Sequence, residues 1–359
     1  MYKSFVSILN LVKVESLTTS DFFFIINTKF TPILLLFFAT LLTTMDILRT
    51  SIDCYPDSSG NGRKAIMDNF CWSFGTYTCK NQTNNCFNPS EENKVYQRYY
   101  QWISLLFVLG ACVLHTPAYL WTQLEGGLMH KICTEIDEID STFKEETWNR
   151  KKKQIMAYFR SKYVDRLHMK YVQYFIALNI LCSVLILLNI MTLNIIIPGF
   201  WNHYHQAILA LVTGDSKMWM FHSELIFPRL AKCSFEPYGP SGSNQQLDAL
   251  CLLSLNVVNQ KIFIIVWIWY ILQMTISILN LLHWILITTS KKARIYILCE
   301  KTMKSISHKV ILDASCEAHL GHFFVLNQIA RNTSPDTFVE LMSELANQNV
   351  NMDDLDETT

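Results

Sequence analysis

The chain reads as an all-α membrane protein with four transmembrane helices, disulfide-linked extracellular loops with little β structure, and a helical cytoplasmic domain. Three observations carry this. Half of the 359 residues are apolar, and they gather into four stretches of the length that spans a bilayer, about 20 residues each. The segments between those stretches alternate, some rich in Lys and Arg and others rich in Cys. Formal net charge is zero, which gives no electrostatic footprint for nucleic acid.

The N-terminal segment, 1–29, carries Lys3, Lys13 and Lys29 and reads as cytoplasmic. Residues 4–12 are apolar, but Lys13 and Glu15 follow without a small-residue cleavage site, so no signal peptide is read. Phe5, Ile8, Leu9 and Val12 share one helical face. That face suits a short helix lying on membrane or protein, or one folded back as a constriction in a pore.

The first span is placed at 30–50. Residues 30–45 are apolar, and Asp46 and Arg49 follow. At roughly 100° per residue, Thr40, Thr43, Thr44, Asp46, Thr50 and Ser51 fall in an arc of about 160°. A polar stripe on a spanning helix lines a pore or bonds to neighbouring helices. Asp46 either tunes ion selectivity near the outer mouth or neutralises Arg49.

Extracellular loop 1, 51–98, holds Cys54, Cys71, Cys79 and Cys86, and Asn81-Gln82-Thr83 is a glycosylation sequon. The second span, 99–121, opens on Tyr99-Tyr100-Gln101-Trp102, aromatics suited to an outer-leaflet anchor. Pro117 inside it removes a backbone donor. The cytoplasmic loop, 122–170, is densely charged, with the basic run 150–153. The third span, 171–198, has no formal charge. Extracellular loop 2, 199–260, adds Cys233 and Cys251. The fourth span, 261–288, is uncharged from 262 to 282, and Lys291, Lys292 and Arg294 directly after it place the C-terminal region, 289–359, inside. His319 and His322 lack further ligands in sequence, so no metal is expected, and no cofactor.

An even count of outward cysteines fits a disulfide framework in an oxidising compartment, with connectivity left open by the spacing. No GxSxG, HExxH or P-loop is present, and no carboxylate lies deep in the last three spans, so neither an enzyme nor a coupled transporter is indicated.

Tyr99-Tyr100-Gln101-Trp102, Pro117, Leu120-Trp121 and Glu125-Gly126-Gly127 together resemble the innexin signature of invertebrate gap-junction proteins. The resemblance extends through Cys71-Trp72, Phe227-Pro228, Lys232-Cys233, Tyr238-Gly239-Pro240-Ser241-Gly242, Asp248-Ala249-Leu250-Cys251, and Asn259 to Trp267 and Trp269. It departs at Phe22-Phe23-Phe24-Ile25-Ile26-Asn27, where the family carries charges, and in the extra Cys79 and Cys86.

The resemblance implies cross-loop bonds Cys54–Cys251 and Cys71–Cys233, with Cys79 left for Cys86. It implies identical or related innexin subunits in a ring of eight among membrane lipids, bordered within by the N-terminal segment and first span, and docked to a ring on the adjacent cell. The alternatives are an undocked hemichannel releasing ions or metabolites, and a non-channel four-span adhesion or scaffold protein. Neither the Cys-Cys-Gly motif of tetraspanins nor the claudin Trp-Gly-Leu-Trp cluster occurs.

Overall fold

The computed structural model describes residues 19–48, 52–56, 61–79, 93–133, 157–159, 162–236, 238, 241–244, 247–315 and 319–356. Its elements in chain order are α1 (Phe22–Leu48), β1 (Asp53–Pro56), α2 (Asn61–Phe74), β2 (Thr76–Cys79), β3 (Lys94–Gln97), α3 (Ile103–Glu125) and α4 (Lys162–Ile196). Then come α5 (Phe200–Thr213), α6 (Ser216–Ile226), β4 (Leu230–Phe235), β5 (Leu247–Leu252), α7 (Ser254–Thr289), α8 (Lys291–Lys301), α9 (His308–Ala314), α10 (Leu320–Asn332) and α11 (Pro335–Asp356).

Four of these, α1, α3, α4 and α7, are long and apolar enough to cross a membrane. Their ends differ from the spans read off hydropathy. Helix α1 begins at Phe22, because the apolar run of Phe and Ile there continues the helix; a π segment at Ile26–Phe30 lies inside it. The 35 residues of α4 reach roughly 52 Å, against about 30 Å of hydrocarbon. The charged residues Asp165, Arg166 and Lys170 therefore extend the helix beyond its apolar stretch. Hydropathy sees the membrane-sized part of a helix, not where its hydrogen bonds stop.

The described residues fall into two compact units. One combines those of 1–28, 116–183 and 276–359. Its core is aromatic: Phe175 packs against Trp121 (4.7 Å between ring centroids), Phe324 (5.2 Å), Trp284 (5.4 Å) and Phe24 (5.5 Å). Gly321 lets α10 approach α4 closely. A Cβ there would stand 2.8 Å from the backbone at His168 and Met169. The C-terminal helices α8 to α11 belong to this unit, as a helical C-terminal region requires.

The other unit combines 29–115 and 184–275. It holds one five-stranded antiparallel sheet, in the order β1-β5-β4-β2-β3. Strands β4 and β5 alternate, with Ala231, Cys233, Ala249 and Cys251 buried, and Met67 of α2 joins their cluster. Cys54 of β1 is bonded to Cys251 directly opposite on β5, and Cys71 of α2 to Cys233 of β4. Two helices not foreseen from the sequence, α5 and α6, form a hairpin. It turns at Gly214 and is capped by Asp215, whose carboxylate accepts from the backbone N–H groups of Lys217 and Met218.

Candidate functional site

Along α1, Leu35, Phe38, Ala39 and Leu42 are buried within the subunit, while Thr40, Thr43 and Thr44 are exposed. The three hydroxyls donate to carbonyls of their own helix, to Phe37 (2.8 Å), Ala39 (2.8 Å) and Thr40 (2.7 Å). They are thus satisfied without a second helix, and each oxygen keeps acceptor capacity toward whatever faces it. Nearer the start of the helix the exposed face is apolar, with Ile33, Leu36 and Phe37. Asp46 is exposed as well, but it stands one turn beyond Leu42, about 40° from it around the helix axis. It therefore tops the packed face, and the threonines form a separate row. Thr50, Ser51, Phe5, Ile8, Leu9 and Val12 lie outside the described residues.

The sheet and its disulfides make the second feature. The sulfurs of Cys54, Cys71 and Cys251 lie within 4.8 Å of one another, so the two bonds sit side by side. All three are consumed in disulfides, so this cluster of sulfurs is not a metal site. Around it, Asp68 accepts from the Cys54 backbone N–H at 2.8 Å, and Lys64 pairs with Asp53 at 2.6 Å. The hydrogen bond from Lys64 holds the Asp53 carboxyl below the usual carboxylate range. Tyr100 donates its hydroxyl to the Cys71 carbonyl (3.2 Å), and Gln101 donates its amide to the Ser73 carbonyl (3.2 Å). Tyr99 is buried against Phe227, ring centroids 5.6 Å apart. Of the aromatics read as a membrane anchor, only Trp102 is exposed; Tyr99 and Tyr100 instead lock the start of α3 to the disulfide-linked framework.

A family model described as Innexin matches residues 20–349. The chain belongs to the innexin family. It is 32% identical over 351 residues to innexin inx4 of Anopheles gambiae, covering 94% of this chain and 89% of that protein. To innexin inx4 of Drosophila melanogaster it is 30% identical over 359 residues, covering 96% of each. To innexin inx2 of Drosophila melanogaster it is 27% identical, covering 97% of this chain and 96% of that protein. This innexin is accordingly a multi-pass plasma-membrane protein of a gap-junction channel family, one of channel subunits and not enzymes, and its partners are other innexin subunits.

In this innexin Cys79 is disulfide-bonded, while Cys86 and Asn81 lie outside the described residues. The sequence reading missed one cluster. His322, considered with His319 as an HxxH pair, meets His168 of α4 instead, Nδ1 to Nδ1 at 3.3 Å. The other nitrogen of His322 contacts the Asp165 carboxylate, and that of His168 the Tyr158 hydroxyl at 3.0 Å. In the same unit, Arg331 of α10 donates to Asp21. The signal was the coincidence of polar residues at helical spacing, Asp165 and His168, before an apolar stretch. Their partner lies 157 and 154 residues further on, beyond any local pattern.

Proposed function

We propose that this innexin forms a large-pore channel: a ring of eight identical or related subunits, docked to a ring on the adjacent cell, that passes ions and small molecules. The ends of the chain and 122–170 are cytoplasmic; 51–98 and 199–260 face outward. The row Thr40, Thr43, Thr44 borders the water-filled path, with Asp46, Thr50 and Ser51 toward its outer mouth. Phe5, Ile8, Leu9 and Val12 form a constriction near its inner mouth.

The carrying observation is that the threonine hydroxyls are exposed and bonded to their own helix. The competing role of threonines in a membrane is to join helices of one subunit, and these three point away from the face that packs. Repeated by symmetry, they give a polar wall that one copy cannot close. The cross-linked outer sheet supports docking, since a rigid surface has little conformational freedom to lose on association.

Paired cells expressing only this chain test the proposal. Transfer of an injected anionic dye to the partner cell is expected, together with modification of Thr40→Cys and Thr44→Cys, but not Leu42→Cys, by a water-soluble thiol reagent. Dye uptake by single cells without transfer between pairs would establish the undocked hemichannel instead. Neither transfer nor uptake, with the protein at the surface, would leave an adhesion role and sink the channel reading.

A further inference from the structure

A groove of about 670 Å³ runs between α3 and α4. It is walled by Trp102, just before α3, by Leu105, Leu109 and Val113 of α3, and by Leu188, Thr192 and Ile196 of α4. Its floor lies where Gly110 meets Asn189, whose side-chain oxygen is 2.6 Å from where a glycine Cβ would stand. From Trp102 to Val113 the α3 wall is roughly 16 Å long, matching half of an approximately 30 Å hydrocarbon core. Only one end of the groove carries charge. There Arg98 lines the mouth. Its stem lies across Gly75, within 2.8 Å of where a Cβ would be, and its guanidinium carbon stands 5.4 Å from the centre of the Tyr96 ring. The guanidinium is thereby held in place before any ligand arrives.

We infer that this groove is a binding site for one glycerophospholipid of the outer leaflet, with an acyl chain along α3 and α4 and the phosphodiester on Arg98. The assignment rests on three matches. The apolar length equals one leaflet. The single cation sits at the headgroup end, where a planar guanidinium complements phosphate oxygens. Trp102, exposed beside Arg98, sits at the interface depth that tryptophan favours. A neighbouring subunit's helix is the rival occupant. The lone guanidinium at one end of an otherwise uncharged groove favours the lipid, whose one phosphate it matches.

The test uses the full chain reconstituted in phosphatidylcholine vesicles doped with a phosphatidylcholine that carries a diazirine on one acyl chain. After photolysis, adducts are expected on peptides spanning 105–113 and 188–196, about fivefold above those on the exposed residues Ile265, Ile268 and Leu272 of α7, because a groove buries most of its ligand. Leu109→Trp fills the groove and should abolish that excess while labelling of α7 stays unchanged, which also reports an intact fold. Arg98→Gln should cut groove labelling by the phosphatidylcholine probe, but not by a diacylglycerol with the same photoreactive chain. Equal labelling of groove and α7 would overturn the site as bulk lipid contact. Equal loss of both probes in Arg98→Gln would overturn phosphate recognition. Oxidation of Leu109→Cys to a cross-link with a neighbouring copy would assign the groove to the rival occupant. None of these readouts depends on conductance, so failure of the channel proposal and failure of this one are distinguishable.

Discussion

Single atoms decide how the disulfide framework forms. Cys54, Cys71 and Cys251 have sulfurs close enough to exchange. Replacing Cys54 with Ser frees the Cys251 thiolate beside the Cys71–Cys233 bond. Attack on the Cys71 sulfur would form Cys71–Cys251 and release Cys233 as the thiolate. Non-reducing peptide mapping of Cys54→Ser should therefore recover Cys71–Cys251, whereas the double replacement of Cys54 and Cys251 should keep Cys71–Cys233 intact. Recovery of Cys71–Cys233 alone from the single variant would refute the exchange. Sequence spacing could not supply this pairing, because the bonded residues are 197 and 162 positions apart and their adjacency exists only once β1 lies beside β5. Gly321 makes a second point at this scale. The obstacle to a Cβ there is backbone, which cannot swing aside as a long side chain can. Gly321→Ala should destabilise the helix contact by about 1–3 kcal/mol, seen as a lower melting temperature in detergent. An unchanged melting temperature would show that α4 and α10 separate freely.

Between elements, the polar residues of α4 and α7 act as a ladder. Asn280 donates its side-chain amide to the Asn179 side-chain oxygen (2.7 Å), and Ser277 donates to Ser183 (2.7 Å), with all four side chains buried. Apolar packing alone fixes neither the register nor the rotation of two helices in lipid, since lipid chains compete for the same contacts. A hydrogen-bonded pair does. A double-mutant cycle on Asn179→Leu and Asn280→Leu should give a coupling of about 0.6 kcal/mol and no more than about 1.7 kcal/mol, with the double variant more stable than the less stable single. Zero coupling would show that each amide finds another partner. The four long helices were legible because about 20 consecutive apolar residues have few other uses. The sheet was not. Strands β1 to β3 are four residues long, shorter than a pattern with a period of two needs to stand out. Two of the pairings, β1 with β5 and β2 with β4, also join segments separated by two spans. The α5–α6 hairpin was hidden for another reason: helices of 14 and 11 residues are too short to stand out as spans in a segment between two of them.

For the whole molecule, hydropathy conveys how many times the chain crosses the bilayer but not which face of a crossing meets water, because a pore-facing and a lipid-facing residue are both simply outside the subunit. Asp46 shows the difficulty. The sequence arc groups it with Thr40, Thr43 and Thr44, yet it lies above the packed face of α1, close to the line of Leu42. Two roles follow from this place. In a ring, each copy contributes one such carboxylate near the outer end of α1. Repeated around the ring, these carboxylates set up a negative potential that favours cations. Alternatively the carboxylate serves its own subunit, neutralising Arg49. The roles separate in reversal potentials measured across asymmetric salt. Under the first, Asp46→Asn assembles normally and its reversal potential moves toward zero, and Asp46→Lys moves it further, toward anion preference or block. Under the second, either substitution impairs surface expression and replacing Arg49 as well restores it, with selectivity unaltered. An Asp46→Asn channel of normal abundance and unchanged reversal potential would remove Asp46 from the conduction path and leave the threonine row as its polar wall.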